Sequence, residues 1–155
     1  FSQNGPPWML EHWAEKQALF NLAMALELPQ ITLDNIDVNK INNSTFEVTV
    51  EISNTGKLPV ALKQAQLVKI VKEDRIQLQF DEELTKGFEQ ASVQITKPAL
   101  YDKTVYLGYT EPGESKTATF TVTLNGIEGA KGTVKVLSTR GGYIEKEIML
   151  GTVEE

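Results

Sequence analysis

The chain has 155 residues, 41% of them hydrophobic, a size at which one globular domain buries about two-thirds of the surface its unfolded form exposes. Its 21 acidic and 15 basic residues leave a net charge of −6, which opposes attraction to nucleic acid phosphates and to anionic membrane surfaces. Zero cysteines exclude disulfides, thiolate zinc sites and cysteine nucleophiles without fixing a compartment, and no apolar run approaches the roughly 20 residues that cross a bilayer.

The sequence opens at Phe1 rather than at an initiator Met and reads as an excised piece of a longer protein. Pro6 and Pro7 suit the fixed φ of a first helical turn, and Trp8 to about Leu26 then runs through good helix formers with no Gly or Pro. Met9, Trp13, Phe20 and Met24, with Leu10, Ala14 and Ala23 one step round, predict a broad apolar stripe. Glu11, Glu15, Lys16 and Asn21 are expected to face water, and the stripe needs a surface to pack on. Pro29 ends the helix by disfavouring the α conformation at the residue before it. Residues 1–29 are therefore read as a linker and amphipathic helix, and 30–155 as a separate β-domain.

From Ile31 onward the apolar period changes from near 3.6 to two. Thr45 to Gly56 sets Phe46, Val48, Val50 and Ile52 on one face of a strand and stops at Asn54-Thr55-Gly56. Glu111-Pro112-Gly113-Glu114-Ser115 leads into a strand where Ala118, Phe120, Val122 and Leu124 alternate with four threonines. Strands are expected near 31–40, 45–54, 75–80, 92–96, 104–109, 116–124, 132–138 and 143–150, with Ile31, Leu33, Ile36 and Val38 as buried candidates in the first. Val60 to Lys72 fits a short helix running into a strand, although Leu67 to Val71 could instead pair with Ile76 to Phe80. Asp81 to Gln90 is polar and acidic, as in a surface loop connecting sheets. Many short strands at this spacing predict a mainly β fold, an immunoglobulin-like sandwich of two sheets with an N-terminal helix and one short internal helix.

The residues supply little chemistry. His12 and Glu15 have the His-x-x-Glu spacing of some zinc sites, but His12 is the one histidine of the chain, and a catalytic zinc takes three protein ligands and a water. The plainer reading is a helical His beside a carboxylate. A Ser or Thr triad would need the same His12, far in sequence from the Thr-rich strand 117–123. Asp34, Asp37, Asp81, Glu82, Glu83 and Glu89 could contribute to a calcium site, yet lack the Asp-x-Asp-x-Asp-Gly loop that organises one. Trp8, Trp13, Tyr101, Tyr106, Tyr109 and Tyr143 offer rings for a sugar platform, although both tryptophans fall on the helix, which favours docking against protein. No catalytic, cofactor-binding or metal-binding residue is assigned. Trp13, Phe20 and Met24 are the candidates for interdomain docking.

Val48 to Gly56, together with Glu111 to Ser115 and its alternating strand, resembles bacterial immunoglobulin-like modules of the cell-adhesion-related (CARDB) type. A longer ordered set comprises Trp13 to Gln17, Leu28-Pro29, Asn54 to Pro59, Ala61 to Val71, Tyr109 to Ser115 and Gly132 to Tyr143. It resembles the carboxyl-terminal region that follows the catalytic domain in bacterial zinc carboxypeptidases of the carboxypeptidase A-like class, over nearly the whole chain. That resemblance implies a non-catalytic accessory domain, with zinc in the parent enzyme's peptidase domain and none here. The implied partner is that upstream domain of the same chain, and the implied location is secreted or periplasmic. Peptidases of the class place a second His and a Glu base in their own domain, so His12 and Glu15 do not map onto their ligands. A module that binds glycan or a surface protein is the competing expectation, and neither reading involves nucleic acid or membrane insertion.

Overall fold

The computed structural model describes residues 6–80, 92–97 and 103–151. Pro7 stands at the first position of helix α1, Pro7–Leu26, where its missing N–H costs nothing. Strands β1, Ile31–Lys40, and β2, Thr45–Asn54, follow as an antiparallel pair. A short helix α2, Lys63–Leu67, precedes β3, Asp74–Phe80. The remaining strands are β4, Ser92–Lys97, β5, Thr104–Gly108, β6, Ser115–Asn125, β7, Gly129–Ser138, and β8, Gly142–Gly151.

Among the described residues the strands form two antiparallel four-stranded sheets, ordered β1-β2-β6-β4 and β5-β3-β7-β8. This is an immunoglobulin-like sandwich, with the inner faces meeting in one core. Phe46, Val48, Val50 and Ile52 of β2 and Ala118, Phe120, Val122 and Leu124 of β6 are all buried, as the alternation requires. Opposite them lie Ile76, Leu78 and Phe80 of β3, Val134 and Val136 of β7 and Leu150 of β8. Thr117 and Thr119 face water, Thr121 and Thr123 are half-buried, and the branched side chain of each suits a pleated outer surface.

Three strands at sheet edges are bulged. In β1 the pairing runs Leu33 with Ile52 and then Asn35 with Glu51, so Asp34 is the extra residue. That insertion explains why the apolar residues switch from odd positions, Ile31 and Leu33, to even ones, Ile36 and Val38. Ile31 is buried, whereas Leu33 and Ile36 are half-buried and Val38 is exposed, because the edge strand has a neighbour on one side. β4 is irregular between Ile95 and Lys97, and β5 carries an extra residue, Leu107, opposite the Asp74–Arg75 step. Such kinks disrupt a ready template for a foreign strand.

The ends of the sandwich are tied by buried polar groups. Asn54 accepts from the N–H of Gln30 and of Gly56, each at 3.0 Å, through Oδ1. Its Nδ2 donates to the carbonyls of Leu58 at 2.9 Å and Thr110 at 3.3 Å. Asp74, also buried, accepts from Thr110 Oγ1 at 2.6 Å and Thr110 N at 3.1 Å, which fastens the β5–β6 connection to β3. Gly56 is required by close approach rather than by its φ: a Cβ there would collide with the Leu28 carbonyl oxygen and come within 2.7 Å of Gln30 N. At the β7–β8 turn Gly142 has φ +115°, the positive value expected of the Arg140-Gly141-Gly142 hairpin.

One alternative left open by the sequence is not taken. After α2 the chain turns without forming a strand at Leu67 to Val71, and β3 pairs with β5 and β7 instead. Lys69 there adopts φ +53°, which a regular strand does not contain. The loop read at Asp81 to Gln90 lies outside the described residues.

Candidate functional site

Helix α1 has no buried residue. Trp13 is 45% exposed, Phe20 62% and Met24 54%, so the three side chains proposed for docking lie on a free face rather than against their own sandwich. The apolar surface is not confined to one stripe, which corrects the amphipathic reading. Trp8, Leu19, Leu22 and Leu26, on the other side of the helix, are also exposed. The periodicity singled out Met9, Trp13, Phe20 and Met24 because they fall together at helical spacing, and the second group, at equally good spacing, leaves Glu11 and Glu15 among apolar neighbours.

Where α1 meets the sandwich the apolar surface continues. A groove of about 410 Å³ is lined by Leu28, Pro29, Leu58, Pro59, Val60 and Leu62, with Ala61, Ala65, Val71 and the Arg140 stem completing it. Leu62, Leu67, Val68 and Ile70, around α2, are exposed at the same end. The floor is fixed by Val60, whose N–H donates to the Thr110 carbonyl at 3.2 Å, and by Gln66, whose Nε2 donates to the Ala61 carbonyl at 2.8 Å. A polar tie at the junction is the Lys57–Glu27 ion pair at 2.7 Å, with both side chains well exposed. Chemically the surface excludes water and offers no reactive group; its capacity is to seat another apolar surface.

The other sequence candidates are dispersed. His12 and Glu15 are exposed on α1, and among the described residues no group of three or more His, Cys, Asp or Glu is placed to hold a metal. Asp34 accepts from Thr32 Oγ1 at 2.9 Å within the β1 bulge, and Asp37 accepts from Asn39 Nδ2 at 2.8 Å. Asp81, Glu82, Glu83, Glu89 and Tyr101 lie outside the described residues. The tryptophans of α1 do not join the tyrosines. Tyr109 is half-buried with its hydroxyl donating to the Val71 carbonyl at 2.9 Å, whereas Tyr106 and Tyr143 stand exposed on the second sheet.

Tyr143 donates its hydroxyl to Glu145 Oε2 at 2.9 Å. That bond favours the protonated phenol and the ionised carboxylate, so Tyr143 is raised above its ordinary value of 10.0 and Glu145 is held below its ordinary 4.5, with Lys135 adding to the latter. The interaction is present between those two ranges; it is lost as acid protonates Glu145 and as base ionises Tyr143. Among the described residues no helix is long and apolar enough to cross a membrane.

No curated protein matches the chain. Among solved structures it is similar to the archaellum periplasmic stator protein FlaG from Sulfolobus acidocaldarius, at 12% identity and TM-score 0.37, over 78% of this chain and 100% of that one. A conjugative transposon lipoprotein from Bacteroides eggerthii is similar at 14% identity and TM-score 0.37, over 80% of this chain and 97% of that one. A GH3 β-glucosidase from Bifidobacterium adolescentis is similar at 16% identity and TM-score 0.34, over 77% of this chain but 17% of the enzyme. Residues 30–149 match the family described as Domain of unknown function (DUF8731), a span running from the end of the α1 connection into the last strand, and the chain belongs to that family.

Proposed function

We propose that this is the non-catalytic accessory domain of a larger bacterial zinc carboxypeptidase-like protein, held to the peptidase domain upstream in the same chain by α1 and the apolar end of the sandwich. The observation that carries the proposal is the exposure of Trp13, Phe20 and Met24 on a helix whose base runs into an apolar groove. Helices in proteins draw most of their stability from packing rather than from propensity, and α1 has no packed face of its own. An upstream domain would provide that packing, and each large side chain fully covered contributes about 1.5–3 kcal/mol, enough together to set the orientation of two domains. The resemblance in motif order supports the choice of a peptidase as the occupant and an extracytoplasmic location. Catalysis and zinc then belong to the parent, and the role of this domain is mechanical and positional.

The test uses the whole protein. Its tryptophan emission is compared with that of this domain alone, since both tryptophans here, Trp8 and Trp13, lie on α1. After subtraction of the upstream domain's own signal, the emission should shift to the blue and become shielded from acrylamide in the joined protein. Trp13→Ala with Phe20→Ala should restore quenching and free the domains to reorient in small-angle scattering. A gene encoding no peptidase domain, or a helix equally quenchable in the whole protein, overturns the proposal.

A further inference from the structure

The outer face of the second sheet carries a row of four residues that the sequence separates widely. Arg75 of β3 lies opposite Tyr106 of β5 on one side and Leu137 of β7 on the other, and Leu137 lies opposite Tyr143 of β8. Residues paired directly across antiparallel strands share a face, so the four side chains stand in one line across the sheet. Tyr106, 59% exposed, and Tyr143, 56% exposed, form its ends. Between them Arg75 is half-buried and has no ion-pair or hydrogen-bond partner for its guanidinium among the described residues.

Two depressions flank Arg75. On the Tyr106 side a cleft of about 560 Å³ is walled by Lys69, Lys72 and Gln77 and floored by Tyr109. Towards Tyr143 a smaller one of about 380 Å³ is lined by Leu137, Ser138 and Thr139. Among the described residues, Lys69, Lys72 and Arg75 stand against one carboxylate in the cleft, Glu73, in a molecule whose net charge is −6. By contrast, on the same sheet, Lys131 and Lys135 are paired with Glu147 and Glu145. With no anion beside it among the described residues, this half-buried guanidinium can take one, and its planar fork fits a carboxylate or a phosphate.

We propose that this face binds an acidic saccharide, a chain containing hexuronate sugars, with one ring stacked on Tyr106 and its carboxylate held by Arg75. The flat tyrosine face takes the apolar face of a sugar ring, while Gln77, Lys69 and Lys72 supply donors, and Gln77 an acceptor, for hydroxyls. An acidic peptide would satisfy the same charge, but an extended peptide gains its affinity by adding to a strand edge. Arg75 lies on β3, an inner strand of the sheet between β5 and β7, where no strand can be added. The overall negative charge disfavours nucleic acid. None of these residues belongs to the α1 surface, so the site stands or falls independently of domain docking.

The experiment is titration calorimetry of the whole chain with a galacturonate tetramer, with neutral cellotetraose and with poly-glutamate as comparison probes. The galacturonate should bind, more weakly as salt is raised, and cellotetraose should bind at least about tenfold less tightly. Arg75→Gln and Tyr106→Ala should each weaken galacturonate binding about tenfold or more, Arg75→Lys should recover only part of the loss, and Lys40→Gln, on the other sheet, should change nothing. Cooperative thermal unfolding of each variant establishes that it is folded. Three outcomes overturn the proposal: no galacturonate binding at millimolar ligand, equal or tighter binding of poly-glutamate, or galacturonate binding unchanged in folded Arg75→Gln and Tyr106→Ala.

Discussion

Asn54 joins segments that lie 24, 4 and 56 residues away in sequence, and no other side chain type fits its place. It must accept from two N–H groups with one atom and donate to two carbonyls with the other, a pattern met by a carboxamide and by neither a carboxylate nor a hydroxyl. Asn54→Ala should therefore lower the free energy of unfolding by about 2–4 kcal/mol, since it strands several buried groups at once. Asn54→Asp should cost at least as much, because it sets an acceptor against the carbonyls of Leu58 and Thr110. Urea denaturation followed by far-UV circular dichroism measures both. The motif Asn54-Thr55-Gly56 was readable as a turn, but its reach to Thr110 was not, because a turn signal is local and the second partner depends on how two sheets close. The same limit hid the row of Tyr106, Arg75, Leu137 and Tyr143: each residue is ordinary in its own strand, and only the pairing register brings them together.

At the level of elements, strand positions were legible because one wet and one dry face impose a period of two, and all eight described strands fall where that period does. Helix α1 was legible for a different reason, its freedom from Gly and Pro and its start at Pro7. What covers it was not, since an apolar pattern states that a surface is needed and not whose. Because no residue of α1 is buried, removing residues 1–26 should leave the unfolding free energy of the sandwich within about 0.5 kcal/mol of the intact domain. Denaturant melts of the two forms, followed by circular dichroism in the β-sheet region, decide this. A large loss would mean that α1 packs on the sandwich after all. The short helix and the strand near 75–80 both form, whereas the alternative strand at Leu67 to Val71 does not: Leu67, Val68 and Ile70 are exposed and sit at the apolar end of the domain.

Considered whole, the molecule is built from pairings between distant parts of the chain. β2 binds β6, with Phe46 facing Val122, and β3 binds β7, with Ile76 facing Val136. Loops of that length must close before either sheet gains its core, so refolding should be slow for the size, in the millisecond-to-second range. Stopped-flow circular dichroism should record that phase. Intrinsic tryptophan fluorescence should barely register it, as both reporters lie on α1, outside the core.

The exit of α1 has one more property. Just beyond Pro29, the N–H of Gln30 is held by Asn54 and its carbonyl by Thr55 N at 2.8 Å, while the N–H of Ile31 donates to the Gly141 carbonyl at 2.9 Å, in the turn between β7 and β8. Tension transmitted along the helix thus arrives at a point gripped from both layers, and cannot unzip the first hairpin without also tearing away from the opposite one. A tether fixed in this manner yields late and abruptly under load.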